Sequence, residues 1–458
     1  MNFEINTIND QSFNLNLKRK QTSTGTKSYD LIDNDEKVWL ELKLNNNKFE
    51  IVAKDNQILD SDSNLESKLD NLLLNLIESE QSGTESTEAE ENENFDPFNP
   101  EDIKVHAKQF SLRLITDMIK EGDIDLSPDF QRNLVWTNFA KSRLIESILL
   151  RIPLPMFYFS EDEEGRITIV DGLQRLSAIQ EFMENKFPLR KLEYLTDSCE
   201  GRYFQSSGKK VGLEAKYVRW FNQTQFSVNV IDPSSPAKVK YDIFRRINTG
   251  GKPLNNQEIR NCLAGKSLRA AINRMVDSEE FKSATDNSIK SKRMEDQDVA
   301  LRFIMFQRFV DEFGDIDAYN GYMDSSLNLL TEELSKSSES ELEVYVQKFS
   351  NAMKNAEYLF GSRYAFRKVT TYDIEPGAYK QLINKALFVC WTILLSEYDP
   401  SEIRKNNKEK SLLEPLAGFI ENEMDLMDFL SYGTNSRANL IFVYGFLKDV
   451  IIADFLKS

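Results

Sequence analysis

The sequence predicts an α+β protein in which a small β-rich region, a mixed α/β region and an α-helical region follow one another. Short alternating runs fill the first 60 residues, strand-type and helix-type patterns mix after residue 103, and only helical patterns recur after about residue 291. We therefore expect four segments, namely a β-rich accessory domain (1–80), an acidic flexible linker (81–102), an α/β domain (103–290) and an α-helical domain (291–458).

The composition is that of a globular chain long enough for several hydrophobic cores. The 458 residues are 40% hydrophobic and 11% aromatic, which is more apolar than a disordered chain. No apolar run approaches the ~20 residues needed to cross a bilayer, and no basic segment followed by an apolar stretch opens the chain. We expect a cytoplasmic protein without membrane contact.

Charge and residue counts exclude several functional classes. The net charge of −17 argues against a protein that coats nucleic acid non-specifically, although a local basic pocket is compatible with it. The three cysteines lie too far apart in sequence for a disulfide framework or a paired zinc motif. The single histidine, His106, excludes the usual histidine-dependent nucleases and triad hydrolases. We expect His106 to be a surface or packing residue.

The N-terminal region predicts strands, one helix and a tether. Alternating runs indicate strands at 3–5, 13–17, 38–44 and 49–52. Leucines at helical spacing indicate a helix over 65–76. From Glu78 to Asp102 there are ten acidic residues and no lysine or arginine, which favours a solvated linker.

The α/β region predicts alternating helices and strands. Helices are expected at 110–120, after Thr137, from Leu173, at 236–247 and from Asn256. Strands are expected at 156–159, 166–170 and 226–231, the first two joined by a turn with Gly165 at its tight position. Residues between the Leu173 helix and Gly212 are expected to be irregular.

The stretch 167–179 joins a strand, an Asp-Gly turn and a helix start, which is a geometry that binds anions. Asp171 and Gln174 are spaced like a capping box, and capping alone is one interpretation. Arg175 in the first turn faces the positive end of the helix dipole, a penalty of about 0.3–1 kcal/mol. A bound phosphate would relieve that penalty, so we favour a phosphate site here.

Two further segments carry phosphate-type ligands. Gln131 and Arg132 offer an amide and a guanidinium that grips phosphate bidentately. Asn248, Thr249 and Gly250 can present successive N–H groups as an anion-binding nest. Each segment also has an interpretation without a ligand. Arg132 can be a loop arginine paired with a surface acid, and residues 248–250 can be a left-handed helix end.

These segments together resemble the N-terminal domain family of GmrSD-type, modification-dependent restriction enzymes, which have a ParB/sulfiredoxin-like fold. The resemblance is carried, in order, by DFQR with Trp136, LIESIL, IPLP, VDGLQRLSAI, FRRINTGGKPL and QEIRN within residues 129–261. It implies nucleotide binding at an Asp-Gly-Gln-Gln-Arg motif, NTP hydrolysis in some members, and bacterial defence against foreign DNA.

Carried over by position, the resemblance implies a set of site residues. The catalytic set is Asp171, Gln174 and Arg175, with Asp171 also the ligand of Mg²⁺. The NTP contacts are Gln131, Arg132, Gly172, Asn248, Thr249 and Gly250. Leu173 replaces the family's first glutamine, and hydrolysis is weakened if that amide touches nucleotide or metal in relatives.

Many relatives append an HNH nuclease, which needs histidines. With His106 alone, this chain is expected to lack that domain and to depend on a partner protein or nuclease subunit. The prediction is a nucleotide-binding, NTP-hydrolysing component of a restriction-like defence system. Two alternatives stay open: a DNA endonuclease that uses the same pocket, and a non-catalytic nucleotide-sensing adaptor.

Overall fold

A computed structural model describes residues 2–7, 12–20, 28–33, 37–45, 48–85, 103–124, 126, 136–247, 254–405, 409–431 and 433–452. It is 54% helical and 16% strand, with a small β region first and a helical part last, so the predicted α+β class is confirmed. The chain divides into two compact units. Unit 1 comprises Met1–Glu93, Lys266–Leu330 and Ser337–Ser458, and unit 2 comprises Asn94–Gly265 and Thr331–Lys336.

Unit 1 begins with a five-stranded antiparallel meander. Its strands, in spatial as in chain order, are β1 (Asn2–Asn6), β2 (Ser12–Lys20), β3 (Ser28–Ile32), β4 (Val38–Asn45) and β5 (Lys48–Lys54). Helix α1 (Asp62–Ser82) covers one face with the five predicted leucines, all buried. The sequence missed β3, because three consecutive buried residues there, including Asp30, hide the alternation.

The start of the predicted linker belongs to the folded part of unit 1. Glu85 N–H donates to the Ile383 carbonyl at 2.8 Å, and Lys290 N–H donates to the Ser82 carbonyl at 2.8 Å. The prediction of a flexible tether is therefore wrong for residues 82–85, because their polar groups bond to distant parts of the chain. Residues 86–102 lie outside the described residues.

Unit 2 is built on a four-stranded mixed sheet. The strands are β6 (Val105–Ser111), β7 (Phe157–Glu161), β8 (Ile167–Asp171) and β9 (Gln225–Ile231), in the order β6-β9-β7-β8. Only the β7–β9 pair is parallel. The helices are α2 (Leu112–Glu121), α3 (Asn138–Leu149), α4 (Leu173–Met183), α5 (Thr196–Cys199), α6 (Ala215–Gln223), α7 (Ala237–Ile247) and α8 (Asn256–Leu263).

Four elements of unit 2 differ from the prediction, because strand β6 and the short helix α5 were not expected either. The helix expected from residue 110 begins at Leu112, because Phe110 belongs to β6 and the Ser111 hydroxyl caps α2 by accepting from Leu114 N–H. Helix α6 was not predicted. The buried residues of α6 are Tyr217 and Phe221, which lie one turn apart, and this pattern is too short to identify a helix from sequence.

Both faces of this sheet are covered, and this arrangement positions the end of β8. Ile167 and Ile169 face a core that includes α4, whereas Val170 faces a second cluster with residues of α7 and α8. The alternation follows from the two-residue period of a strand. Strand β8 therefore ends, at Asp171, between helices that cover its opposite faces.

The rest of unit 1 is helical, as predicted for the C-terminal part. Its helices are α9 (Lys266–Asp277), α10 (Glu279–Ala284), α11 (Glu295–Phe313), α12 (Met323–Leu334), α13 (Glu339–Phe360), α14 (Lys385–Ser396), α15 (Pro400–Lys405), α16 (Leu413–Asn422), α17 (Met424–Ser431) and α18 (Arg437–Phe446), the last residues of α12 falling in unit 2. Among the described residues, no helix combines the length and apolarity needed to span a membrane.

Candidate functional site

The predicted strand–turn–helix is present, and Gly172 is its pivot. Gly172 is the N-cap of α4 and has a left-handed backbone with φ +102°. A Cβ atom at this position would lie 2.2 Å from Cδ1 of the buried Phe157 ring. Glycine is therefore required here twice, by the backbone conformation and by the close approach of the aromatic ring.

The capping-box interpretation is wrong. Asp171 is the last residue of β8, and within the described part of the chain no side chain caps the start of α4. A helix cannot satisfy the N–H groups of its own first turn, and no side-chain acceptor for them occurs among the described residues. Such a helix start attracts an anionic group.

Arg175 is bound by oxygens of its own unit. Its Nη2 donates to Asp171 Oδ2 at 2.7 Å and to the Met156 carbonyl at 3.2 Å, and its Nη1 donates to the Pro155 carbonyl. The guanidinium carbon lies 4.1 Å from the centroid of the Phe157 ring. Burial lowers the pKa of Arg175 and the Asp171 carboxylate opposes that shift, but a guanidinium stays protonated.

These contacts correct one step of the sequence argument. We expected Arg175 to need an external anion, whereas Asp171 supplies the negative charge, and the Arg175 side chain is only 11% exposed. The sequence does not reveal this pairing, because Asp171 ends a strand and Arg175 lies in the helix that follows. It also gave no signal for the Phe157 ring or the Pro155 carbonyl as partners.

The Asp171 carboxylate remains accessible. The side chain is 39% exposed, and only Oδ2 bonds to Arg175, so Oδ1 has no hydrogen-bond partner among the described residues. Proteins commonly hold Mg²⁺ with one or two carboxylates while substrate phosphates complete the coordination. Asp171 fits that role. No cluster of three or more His, Cys, Asp or Glu side chains suited to a metal occurs in the described residues.

Gln174 carries an unsatisfied polar atom at the same turn. Its Oε1 is buried and has no hydrogen-bond partner among the described residues. An unsatisfied buried acceptor costs about 1–3 kcal/mol, so a donor supplied by a ligand would stabilise this conformation. Leu173, which replaces the family's glutamine, is 6% exposed and packs in the core.

The remaining predicted contacts lie outside the described residues. These are Gln131, Arg132, Asn248, Thr249 and Gly250. Their flanking elements are described: α7 and α8, on either side of 248–253, both contact β8. In the last turn of α7, Arg245 pairs with Asp242 at 2.7 Å. The adjacent Arg246 is exposed and has no ion pair among the described residues.

His106 and the cysteines contribute no reactive group to this site. His106 is exposed on β6, with Nε2 3.4 Å from Asp232 Oδ2, as expected for a surface residue. All three cysteines are buried and form no disulfide, and burial raises the pKa of Cys199 to about 11. A thiol with that pKa is a poor nucleophile at neutral pH.

A family model described as GmrSD restriction endonuclease, N-terminal domain, matches residues 114–264. The predicted family resemblance is confirmed. This GmrSD-like region is about a third of the chain, and it contains the β8–α4 turn together with every other predicted site residue. The helical part beyond residue 264 and the N-terminal β-sheet lie outside it. No curated protein and no solved structure matched the chain.

Proposed function

We propose that this chain is a nucleotide-binding, NTP-hydrolysing component of a restriction-like bacterial defence system that acts against foreign DNA in the cytoplasm. The match to the GmrSD N-terminal family supports the restriction-like role. One observation carries the nucleotide site: the uncapped start of α4 lies beside the half-exposed Asp171 and the unsatisfied Gln174 Oε1.

In this proposal the NTP phosphates bind the N–H groups at the start of α4. Gly172 lets the backbone turn tightly enough to present them, and Gln174 accepts a hydrogen bond from the nucleotide. Asp171 would hold Mg²⁺, an ion that would neutralise phosphate charge when bound. Arg175 is a positioning residue, because its bonds to Asp171 and two carbonyls fix the carboxylate.

The other predicted residues complete the pocket in this proposal. Arg132, with Gln131, supplies the direct guanidinium contact to phosphate that Arg175 does not make. Asn248, Thr249 and Gly250 close the site from the connection between α7 and α8, and the exposed Arg246 adds positive charge beside it. The mixed sheet with helices on both faces supports a ParB/sulfiredoxin-like fold. Because His106 is a paired surface residue, DNA cleavage is assigned to a partner nuclease.

The test is equilibrium binding of radiolabelled ATP, GTP, CTP and UTP with Mg²⁺, followed by phosphate release. We expect one or more NTPs to bind the wild type, and Asp171→Asn and Gln174→Ala to lose about tenfold or more in affinity, or ~1.4 kcal/mol. The matched control is Arg166→Gln, directly before β8 and at the opposite end of that strand from Asp171, where the arginine pairs with Asp162 at 2.8 Å.

Two results would overturn this proposal. Equal NTP affinity in the wild type and both variants removes the turn from the binding site. Absence of binding for all four nucleotides removes the nucleotide itself. Mg²⁺-dependent DNA nicking by the purified chain, abolished in Asp171→Asn, assigns the pocket to an endonuclease instead.

A further inference from the structure

Helix α6 has a basic and aromatic face that the nucleotide proposal does not use. Tyr217 and Phe221 are buried in the core of unit 2, whereas Lys216, Arg219 and Trp220 are exposed. Residues three and four positions apart share one face of a helix. The two cations and the indole therefore form one continuous surface.

An arginine from another element covers the exposed indole. Arg151, directly after α3, places its guanidinium carbon 4.7 Å from the centroid of a Trp220 ring. Arg151 has a left-handed backbone, with φ +59°, at a helix end where glycine is the usual residue. That conformation costs a non-glycine residue about 1–2 kcal/mol. Stability alone favours glycine here, so the Arg151 side chain is expected to have another use.

The chain segment that contains α6 is basic, unlike the chain as a whole. Between residues 185 and 224 there are eight lysines or arginines and four acidic residues, in a chain of net charge −17. Arg151 and Arg219 have no carboxylate within ion-pair distance among the described residues, although both are exposed. Lys216 pairs with Glu214 at 3.2 Å. Two guanidinium groups thus remain available for an external anion.

The surface extends onto α2. Leu112 N–H donates to the Thr224 carbonyl at 2.9 Å, so the first turn of α2 adjoins the end of α6. Arg113 in that turn is 75% exposed and lies 3.8 Å from Asp117. The nine residues of α6 span about 13 Å, which corresponds to about four nucleotides at ~3.4 Å per nucleotide along a DNA strand.

We propose that this α6 face, formed by Arg113, Arg151, Lys216, Arg219 and Trp220, binds the sugar–phosphate backbone of double-stranded DNA. Guanidinium groups bind phosphate oxygens bidentately, and the indole offers a flat apolar contact to deoxyribose. The acidity of the rest of the chain confines binding to this face and prevents non-specific coating. The choice of DNA among polyanions rests on the proposed defence function.

The experiment is fluorescence anisotropy of the full chain with a labelled duplex of about 20 base pairs, over about 50 to 200 mM salt. The test variant is Arg151→Gln with Arg219→Gln. We expect its affinity to fall about tenfold and the slope of log K against log salt to decrease by about two, one for each lost phosphate contact. Circular dichroism verifies that the variant is folded.

The matched control is Lys108→Gln with Arg166→Gln, which removes two positive charges from exposed ion pairs elsewhere in unit 2. If the test and control variants lose the same DNA affinity, the effect comes from net charge alone and the proposal is overturned. No duplex binding by the wild type, or tighter binding of the single strand, also overturns it. NTP binding is measured on the same samples, so that a failure of DNA binding at the α6 face can be distinguished from a failure of the proposed nucleotide site.

Discussion

Two aspartate–arginine pairs with the same i, i+4 spacing occur in very different surroundings. Asp171 and Arg175 are joined at 2.7 Å at the β8–α4 turn, and Asp298 and Arg302 are joined at 2.8 Å within α11. The first carboxylate is 39% exposed, whereas the second is 8% exposed. The two pairs have the same spacing and nearly the same distance, but they differ in how far solvent can reach the carboxylate.

The α11 pair is part of a closed polar network. Lys385 Nζ lies 3.3 Å from Asp298 Oδ2 and also pairs with Glu295. Arg302 Nη1 donates to Asn435 Oδ1 at 2.7 Å. Burial alone would lower the pKa of Arg302, but the charge and hydrogen bond of Asp298, together with the nearby Asp324 and Tyr319, outweigh burial and raise the pKa. At Arg175 burial prevails and the pKa is lowered.

The comparison teaches that an Asp-x-x-x-Arg spacing does not by itself distinguish a structural ion pair from a site. The α11 network has its polar groups matched by the protein, and a buried pair loses much when one partner is removed. At the β8–α4 turn, one carboxylate oxygen and one glutamine oxygen have no hydrogen-bond partner in the part of the chain that the structure describes. Unsatisfied polar groups at a turn are the better indication of a binding site.

The largest stability effect is expected for Arg302→Met, which leaves the Asp298 carboxylate buried. We expect a loss of about 3–5 kcal/mol in the free energy of unfolding, measured by urea denaturation and circular dichroism. Arg175→Met is the matched comparison and is expected to lose only about 1–2 kcal/mol, because water can reach Asp171. Equal losses in the two variants would show that exposure of the carboxylate does not decide the outcome.

Gly172→Ala tests the geometry of the turn. A left-handed alanine costs about 1–2 kcal/mol, and the contact with Phe157 adds about 1–3 kcal/mol of overpacking. Gly165→Ala is the control, since its φ is +80° but no atom lies within 4 Å of the added Cβ. Thermal unfolding is expected to show a clearly larger destabilisation at Gly172, and similar values would mean that the ring moves aside.

Glu146→Gln extends the comparison to a buried carboxylate in unit 2. Burial by itself would raise the pKa of Glu146, but hydrogen bonds from Leu195, Tyr194 and Glu193 N–H and from Arg143 outweigh it and lower the pKa. We expect the variant to lose about 1.5–3 kcal/mol at neutral pH.

The sign of the pH dependence follows from this lowered pKa. The stabilisation by Glu146 is fully present above its unfolded pKa, near 4.5, and is lost as the pH falls through the lower folded value. Urea denaturation from pH 7 downward should therefore show the wild type converging on Glu146→Gln in acid. A difference in stability that is constant with pH would contradict a role for the carboxylate charge.

The smallest stability effect is expected for Asp171→Asn. Asparagine keeps an oxygen that accepts from Arg175, and the carboxylate is exposed, so the loss is about 1 kcal/mol or less. The same variant is expected to lose Mg²⁺-dependent NTP binding. A large loss of stability with unchanged NTP binding would place this pair in the same structural class as Asp298 and Arg302.

Local sequence patterns are enough to predict the elements with a clear period and the position of the β8–α4 turn. The hairpin of β7 and β8, the glycine at residue 172, the start of α4 and the leucine face of α1 all follow from local patterns and turn chemistry. The order of its motifs also identified the family resemblance over the GmrSD-like region.

The partner of each charged side chain, in contrast, depends on the folded arrangement of the chain. The β7–β8 hairpin is predictable from the sequence, but the sequence does not indicate that the Phe157 ring of this hairpin and the Pro155 carbonyl just before it contact Arg175. Likewise, the cation that covers Trp220 comes from the end of α3, about 70 residues earlier in the chain. Local spacing specifies helices and turns, whereas burial and hydrogen-bond partners depend on segments brought together by folding.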